Sequence, residues 1–213
     1  MITNTAQWIY ELATAGYIWD NDSGRYRSRA TGRFVAESTI RNDLNRFNET
    51  IIRENLGSIT EKLINGNITL EQWQRRLANE LKDAWRLNQM IGRGGKSQMT
   101  QADYGRLGGR LRFEYDRLNR LAIEIKAGML TEAQIRARVG LYANAPRVGF
   151  YDGVNAAKVA AGLTEMRRVL NPAEHCPDCE GYASEGWVPI GTLPMPGEKS
   201  QCLRNCKCTV EYR

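Results

Sequence analysis

The residues best suited to chemistry in this chain are its five cysteines, which all lie in the last 40 residues. They form two groups, the pair Cys176-x2-Cys179 and the cluster Cys202-x3-Cys206-x-Cys208. Two thiolates at this x2 spacing on a tight turn bind one zinc ion without strain, and a second group supplies the remaining ligands of a tetrahedral site. The pattern therefore predicts one structural Zn2+ site near the C-terminus.

The alternatives to zinc are disulfides or unused buried thiols. Five is an odd number, so pairing leaves one cysteine over, and a Cys-x2-Cys redox motif requires a βαβ context that the pattern does not offer. Which four cysteines bind stays open. Cys176 and Cys179 are the firmest ligands. Cys206 and Cys208 share a predicted terminal strand, and either Cys202 or one of that pair is left over.

The single histidine, His175, is an alternative fourth ligand. Its place beside Cys176 makes it a crowded ligand, so we expect it to face solvent or to support a ligand from outside the coordination shell. A full set of thiolates disfavours catalytic zinc, which keeps one position open for water. No pair of carboxylates suits acid–base work, and Gly95-Lys96-Ser97 lacks the first glycine of a phosphate-binding loop. We expect neither enzyme activity nor a small-molecule substrate.

A second set of candidate residues is basic. Four arginines occur within nine residues that contain no acid: Arg25, Arg27, Arg29 and Arg33. As a strand, this segment places the first three on one face, which suits phosphate groups or an acidic protein surface, or simply keeps a hairpin soluble. Arg93 and Lys96, in a glycine-rich stretch, are candidates for the same partner or phosphate contacts. The net charge of +6 permits an anionic partner but is not that of a polybasic protein.

The elements that must position these residues are mainly helices. An apolar fraction of 42% and five tryptophans support a folded core. Two starts, Thr69 with Gln72 and Thr131 with Gln134, have the spacing of capping boxes. Apolar periodicity predicts a short helix ending at Gly16 and longer ones over about 38–66, from 69, over 100–126, from 131 and over 154–170. After Pro172 the helical periodicity stops.

The predicted fold is mainly α: a bundle of long antiparallel helices, a short N-terminal β-hairpin arm and a small C-terminal zinc-stabilised β/loop module. The predicted domains are residues 1–36 with a helix and the basic arm, 37–170 with the helical body, and 171–213 with the cysteines. No apolar run approaches the roughly 18 residues needed to cross a bilayer, and the first residues do not form a signal peptide. A soluble protein without membrane contact is expected.

Several phrases resemble the minor head proteins of tailed bacteriophages, in the group related to the Mu F-like head morphogenesis proteins. The most specific are His175-Cys176-Pro177-Asp178-Cys179, Gly186-Trp187-Val188-Pro189-Ile190-Gly191 and Cys202-x2-Asn205-Cys206-Lys207-Cys208. The arm 24–35 and the phrases at 68–74 and 92–95 also resemble such proteins. Many relatives carry a histidine shortly before the last two cysteines, where this chain offers Cys202.

The resemblance implies a structural component of a phage head, present in few copies and in contact with the portal or the capsid interior. Its expected partners are other capsid or portal proteins, and packaged DNA in addition, within an oligomeric virion. The expected location is the virion head, and the host cytoplasm during assembly. The rival interpretation of the same residues is a cytoplasmic, zinc-containing nucleic-acid-binding module that uses the basic arm.

Overall fold

The computed structural model describes residues 16–202 and 206–213 of the chain. Most of this part is α-helical, with a small hairpin near its beginning and a short sheet beside the cysteines. The mainly helical fold class predicted from the sequence is therefore confirmed. The short helix predicted to end at Gly16 lies, apart from that glycine, outside the described residues.

The helical body contains six α-helices within the described chain. They are α1 (Glu37–Phe47), α2 (Arg53–Ile64), α3 (Leu70–Arg93), α4 (Gln101–Lys126), α5 (Glu132–Tyr142) and α6 (Arg147–Ala160). A π-helical turn, Asn48–Ile52, joins α1 to α2, and a 3-10 turn, Lys96–Gln98, follows α3. The helix predicted over 38–66 is thus an α–π–α unit, and Gly66, with a φ of 70°, ends it.

Three of these helices begin with a threonine capping box, in which the threonine and the residue three positions later exchange hydrogen bonds. The pairs are Thr69–Gln72, Thr100–Asp103 and Thr131–Gln134. Each box satisfies backbone N–H groups that the first helical turn leaves without a partner. The first and third boxes confirm the prediction from spacing. The second uses aspartate where the sequence pattern expects Glu or Gln.

The centre of the body is α3, which packs against α2, α4 and α6. Its crossing with α6 is close enough to require glycine. A Cβ atom on Gly92 would lie 1.9 Å from the carbonyl oxygen of Phe150, and one on Gly153 would lie 2.2 Å from that of Gln89. The two backbones are therefore in direct contact, and no larger residue fits at either glycine without a shift of main chain.

Two predictions near the C-terminal end are wrong. The helix predicted over 154–170 begins earlier, at Arg147, and ends at Ala160, where Gly162 with a φ of 85° follows. Residues Glu165–Val169 form strand β3 instead, because distant strands supply its backbone partners and local periodicity cannot show them. The segment after Pro172, predicted to lack helix, contains the short helix α7, Pro177–Ser184.

The strands form two small antiparallel sheets. Strand β1 (Tyr17–Asp20) pairs with β2 (Arg25–Ser28) in the predicted hairpin, and β3 lies between β4 (Val188–Pro189) and β5 (Thr209–Tyr212). Met166 of β3 is fully buried in the same core cluster as Leu193 and Met195. The cysteine-rich segment thus adds side chains to the core of the body. The predicted division into three domains stays a prediction.

Membrane crossing can be judged for the helices of residues 16–202 and 206–213. Every one of these helices is too short or too polar to span a bilayer.

Candidate metal centre and basic hairpin

The five cysteines reach one place from three segments of chain. Cys176 is the N-cap of α7, and Cys179 lies in its first turn, so one helical start carries both. Cys202 belongs to a turn that follows β4, while Cys206 and Cys208 precede β5. The prediction that the last two lie within the terminal strand is wrong, because the strand begins at Thr209, where pairing with Val169 starts.

The sulfur atoms gather around Cys179, which is fully buried. All five thiols are free, and they form two triads that share this residue: Cys176, Cys179 and Cys202, and Cys179, Cys206 and Cys208. The sulfur of Cys179 lies 3.5 Å from that of Cys202 and 3.7 Å from that of Cys206. Zn–S bonds of about 2.3 Å in a tetrahedron separate the sulfurs by about 3.8 Å. The spacing fits metal ligands, and it exceeds a disulfide bond by far.

A frame of hydrogen bonds holds the cysteine segments together. The backbone N–H of Gln201 donates to the carboxylate of Asp178 over 2.8 Å, which ties the α7 start to the turn that carries Cys202. The buried hydroxyl of Ser200 lies 3.3 Å from the Cys202 sulfur. The side-chain amide of Asn171 donates to the carbonyl of Lys207, between the last two cysteines. Each sulfur-bearing segment is thereby fixed by a neighbour that is not a cysteine.

His175 lies at the edge of the cluster and faces Cys208. Its Nε2 donates to the carbonyl of Asn171 over 2.7 Å, since a carbonyl oxygen only accepts, and its Nδ1 lies 3.5 Å from the Cys208 sulfur. The contact with a carbonyl fixes the orientation of the ring. A supporting position beside a candidate ligand was one of the two expected from the sequence, and the role of fourth ligand stays an alternative.

The surroundings favour thiolates at two of the cysteines. Burial acts to raise the pKa of Cys176, but hydrogen bonds from the backbone N–H groups of Cys179 and Cys202 outweigh it and lower this pKa to about 7. Burial also acts to raise the pKa of Cys206, but the hydrogen bond from the backbone N–H of Cys208 acts to lower it, and the pKa lies below its ordinary value. At the centre, burial raises the pKa of Cys179. A positive ion at this centre would favour the thiolate there as well.

Two arginines complete the electrostatics of the site. Arg168 of β3 is 3% exposed, and its Nη1 donates to the Cys206 sulfur over 3.8 Å. Burial lowers the pKa of Arg147, at the start of α6, and the charges of Tyr151, Cys206 and Cys202 act in the opposite direction. Two cationic side chains thus lie close to the cluster, and a nearby cation acts in favour of a thiolate.

The geometry shows what this cluster can do. Sulfur atoms at these separations, partly or fully buried and close to cations, can hold a metal ion, and thiolates select soft or borderline ions such as Zn2+. The five predicted ligand residues are all present in the cluster. A single tetrahedral ion requires four of them, and both triads include Cys179.

The predicted basic residues lie on and beside the hairpin. Its inner face packs Tyr17 and Tyr26 against the body, and Tyr26 donates to the carbonyl of Ile91 over 2.8 Å. The cross-strand pairs Ile18–Arg27 and Arg27–Phe34 mark the outer face, because opposite residues of antiparallel strands share a face. Phe34 is 40% exposed there.

On this outer face the arginines surround an aromatic ring. The guanidinium of Arg25 lies 4.5 Å and that of Arg27 3.8 Å from the centre of the Phe34 ring, and Arg27 also pairs with Asp20. Arg29 lies beyond the end of β2, in a turn, so the prediction that it shares a strand face with the other two is wrong. Arg29 and Arg33 are exposed. The arm therefore presents cations around one exposed aromatic side chain.

The second predicted basic stretch lies beside the hairpin. Trp19 covers Gly94, where an added Cβ would lie 2.4 Å from the indole ring, and Gln98 donates to Asn21 over 2.8 Å. Lys96 is exposed in this turn. Arg93 instead forms a mostly buried ion pair with Asp103 over 3.3 Å, which fits a structural role better than a partner contact. The hairpin and this stretch, which are far apart in the sequence, are thus neighbours in the structure.

Sequence reasoning missed the residues that support the cluster. Arg168 was predicted inside a helix, and its contact with Cys206 depends on strand pairing that no local pattern reveals. Asn171 and Ser200 had no distinguishing signal either. The available signal was indirect. Arg168 lies two residues after Met166, so in a strand both side chains lie on the buried face, where an arginine needs a partner for its charge.

Comparison with known proteins gave no match to a protein family, a curated protein or a solved structure. The resemblance to phage minor head proteins therefore depends on the quoted sequence phrases.

Proposed function

We propose that this chain is a structural and assembly component of a bacteriophage head, with one structural Zn2+ ion at the cysteine cluster and without catalytic activity. The observation that carries the metal part is the convergence of five free thiols on the buried Cys179. Zinc is the proposed ion because a tetrahedral, all-sulfur site without an open position is typical of structural zinc. The phage part is supported by the sequence resemblance.

The metal proposal is tested by the metal content of the full chain, purified under reducing conditions without added metal. We expect about one zinc ion per chain, by elemental and native mass spectrometry. A Cys176→Ser/Cys179→Ser variant should lose it, whereas replacing Ser184, a serine of the same helix outside the cluster, by alanine should not. A wild-type chain that takes up neither Zn2+ nor Co2+ would contradict the proposal.

The assembly role follows from what such a module offers. A zinc ion can order a short segment that has few apolar residues, and the ordered segment then presents a fixed surface to a neighbouring protein. The expected neighbours are portal or capsid proteins, the expected state is an oligomer in the virion, and the expected locations are the head and, before assembly, the host cytoplasm.

The head assignment is tested in particles. Virions produced by the phage that encodes this chain are purified, and peptides of the chain are quantified against those of the major capsid protein. We expect a low but constant ratio in particles, and association of the chain with portal or capsid protein in lysates. If the peptides are found only in the soluble fraction of the lysate and never in particles, the assignment is wrong.

A second candidate function, a nucleic-acid-binding module, is favoured by one specific observation. Arg25 and Arg27 lie over the exposed Phe34 ring, and Arg29 and Arg33 of the same arm are exposed. An aromatic ring among cations is an arrangement that binds both bases and phosphates. The two functions overlap, because a head protein that faces packaged DNA needs a basic surface.

Salt dependence separates the two functions. In the second, DNA affinity is micromolar or better and falls steeply between about 50 and 200 mM salt, and replacing Arg25, Arg29 and Arg33 by glutamine reduces the slope of that dependence by about 3. The control removes the same charge from the exposed side of α4, at Arg112, Arg120 and Lys126. Equal losses in both variants, or no binding, exclude a nucleic-acid role for the arm.

A further inference from the structure

The most unusual charged group outside the cysteines themselves is the guanidinium of Arg168. It is almost completely buried, and its partners among the described residues are a thiol, a carbonyl and an aromatic ring. These are Cys206, Pro194 and Tyr182, and none is a carboxylate. A buried cation is stable only where an opposite charge lies close to it. Within the described chain, the cysteine sulfurs are the groups beside it that can supply that charge.

The neighbouring residue of the same strand shows what is unusual about Arg168. Arg167 points to the other side of β3, where its guanidinium pairs with Glu211 over 2.6 Å and lies 4.8 Å from the centre of the Trp187 ring. Its side chain is 44% exposed, so its charge is shared between a carboxylate and water. Two arginines adjacent in sequence thus have opposite environments, one at the surface and one against sulfur.

We propose that Arg168 is a positioning residue of the metal centre, which neutralises thiolate charge at Cys206 and connects the metal ion to the central strand of the sheet. The inference rests on the metal site of the proposed function. Four thiolates around a divalent ion carry two net negative charges, and burying them is costly unless cations lie nearby. Arg168 supplies one such cation from inside the protein.

The position of Arg168 explains how metal binding reaches the rest of the fold. Its other Nη donates to the carbonyl of Pro194, next to Leu193 and Met195, which lie in the core of the body. The same side chain therefore contacts the sulfur cluster, β3 and the loop that enters the core. The Nε–H of Arg168 has no hydrogen-bond partner among the described residues. The hydrogen bonds of this guanidinium are therefore those of its two Nη atoms.

The test compares metal affinity in the full-length chain. Zn2+ and Co2+ are titrated against a competing chelator for wild type, Arg168→Met and Arg168→Lys, with Arg167→Met as the matched control. We expect Arg168→Met to bind about 10- to 100-fold more weakly, the range that loss of a supporting residue usually causes. Arg168→Lys, which keeps the charge, should recover part of that loss. Arg167→Met should bind like wild type.

A second readout separates a role in metal binding from a role in folding. The sulfur-to-cobalt charge-transfer band should shift in Arg168→Met, and thermal unfolding of the metal-free protein should change little, because removing a buried cation without its metal–thiolate partner costs little. The inference is overturned if Arg168→Met binds metal like wild type, or if it loses the same stability with and without metal. If wild type binds no metal, the proposed function itself fails, which is a distinguishable result.

Discussion

The helical body and the cysteine cluster are ordered by different kinds of interaction. The body has a core of large side chains, with Trp73, Leu77 and Leu81 fully enclosed, and three of its helices begin at capping boxes. The cluster has Cys179 at its centre, and polar groups such as Asp178 and Asn171 hold its segments. Burial of apolar surface stabilises the body, whereas the cluster brings together thiols that, in the proposed function, a metal ion holds in one site.

The proposed function therefore implies that the two regions depend on metal to different degrees. The body should keep its fold without zinc, and the cluster should not. The two regions are not independent, however, because Met166, Leu193 and Met195 from the sheet and its loops lie in the core of the body. Perturbing one region should therefore reach the other through these contacts, but only weakly.

The largest expected effect is that of removing the metal. Chelation should unfold residues 171–213, while the backbone amides of the helices in 37–160 stay protected from exchange. A structural zinc ion contributes on the order of 10 kcal/mol to the folding of a small metal-binding module. Hydrogen exchange with mass spectrometry measures both regions at once. Adding Zn2+ back should restore protection. Loss of protection throughout the body, or no change anywhere, would contradict the expectation that only the cluster depends on metal.

The next effect is a loss of stability of the helical body that leaves metal affinity unchanged. Gly153→Ala should lower the free energy of unfolding by about 3 kcal/mol, because the new Cβ would meet the backbone of α3 at 2.2 Å. Denaturant unfolding measures it, and metal affinity should be unchanged. The control is Gly108→Ala on α4, where nothing lies near the added Cβ and about 0.5–1 kcal/mol of stabilisation is expected. Similar results for both variants would show that the helices do not cross this closely.

How much the sequence predicts depends on whether the signal is local. The capping boxes at Thr69 and Thr131 and the candidate metal ligands follow from residue types at fixed spacing, and the structure has both boxes and all five cysteines together. Strand β3 could not be predicted, because its pairing partners lie more than 20 residues away in sequence. The same is true of Arg168, whose sulfur contact exists only once β3 is in place.

A smaller effect concerns Asp103, which is fully buried and pairs with Arg93 and Arg106. Burial acts to raise its pKa, but hydrogen bonds from Thr100 and Arg106 outweigh it and keep the pKa below its ordinary value. A carboxyl with a lowered pKa stabilises the fold above its unfolded pKa of about 4, and this contribution is lost as the pH falls through the lower folded value.

The variant Asp103→Asn should therefore lower the free energy of unfolding at neutral pH by about 2 kcal/mol, and the difference from wild type should shrink below pH 4. Denaturant unfolding at several pH values measures this. Asp116→Asn, at an exposed position of the same helix, is the control and should change little. A difference that is constant across the pH range would mean that the charge of Asp103 is not what stabilises this corner of the body.

The smallest expected effect tests whether the body is ordered by local rules. Thr131→Ala removes the side-chain oxygen that accepts from the backbone N–H of Gln134 over 3.3 Å, and it should cost about 1 kcal/mol. Thr131→Ser keeps this oxygen and should cost less. Because α5 contacts α2 and lies outside the cysteine segment, neither variant should change metal affinity or the protection of residues 171–213. A change in metal affinity would show that the stability of the body and metal binding are coupled more strongly than the shared core side chains imply.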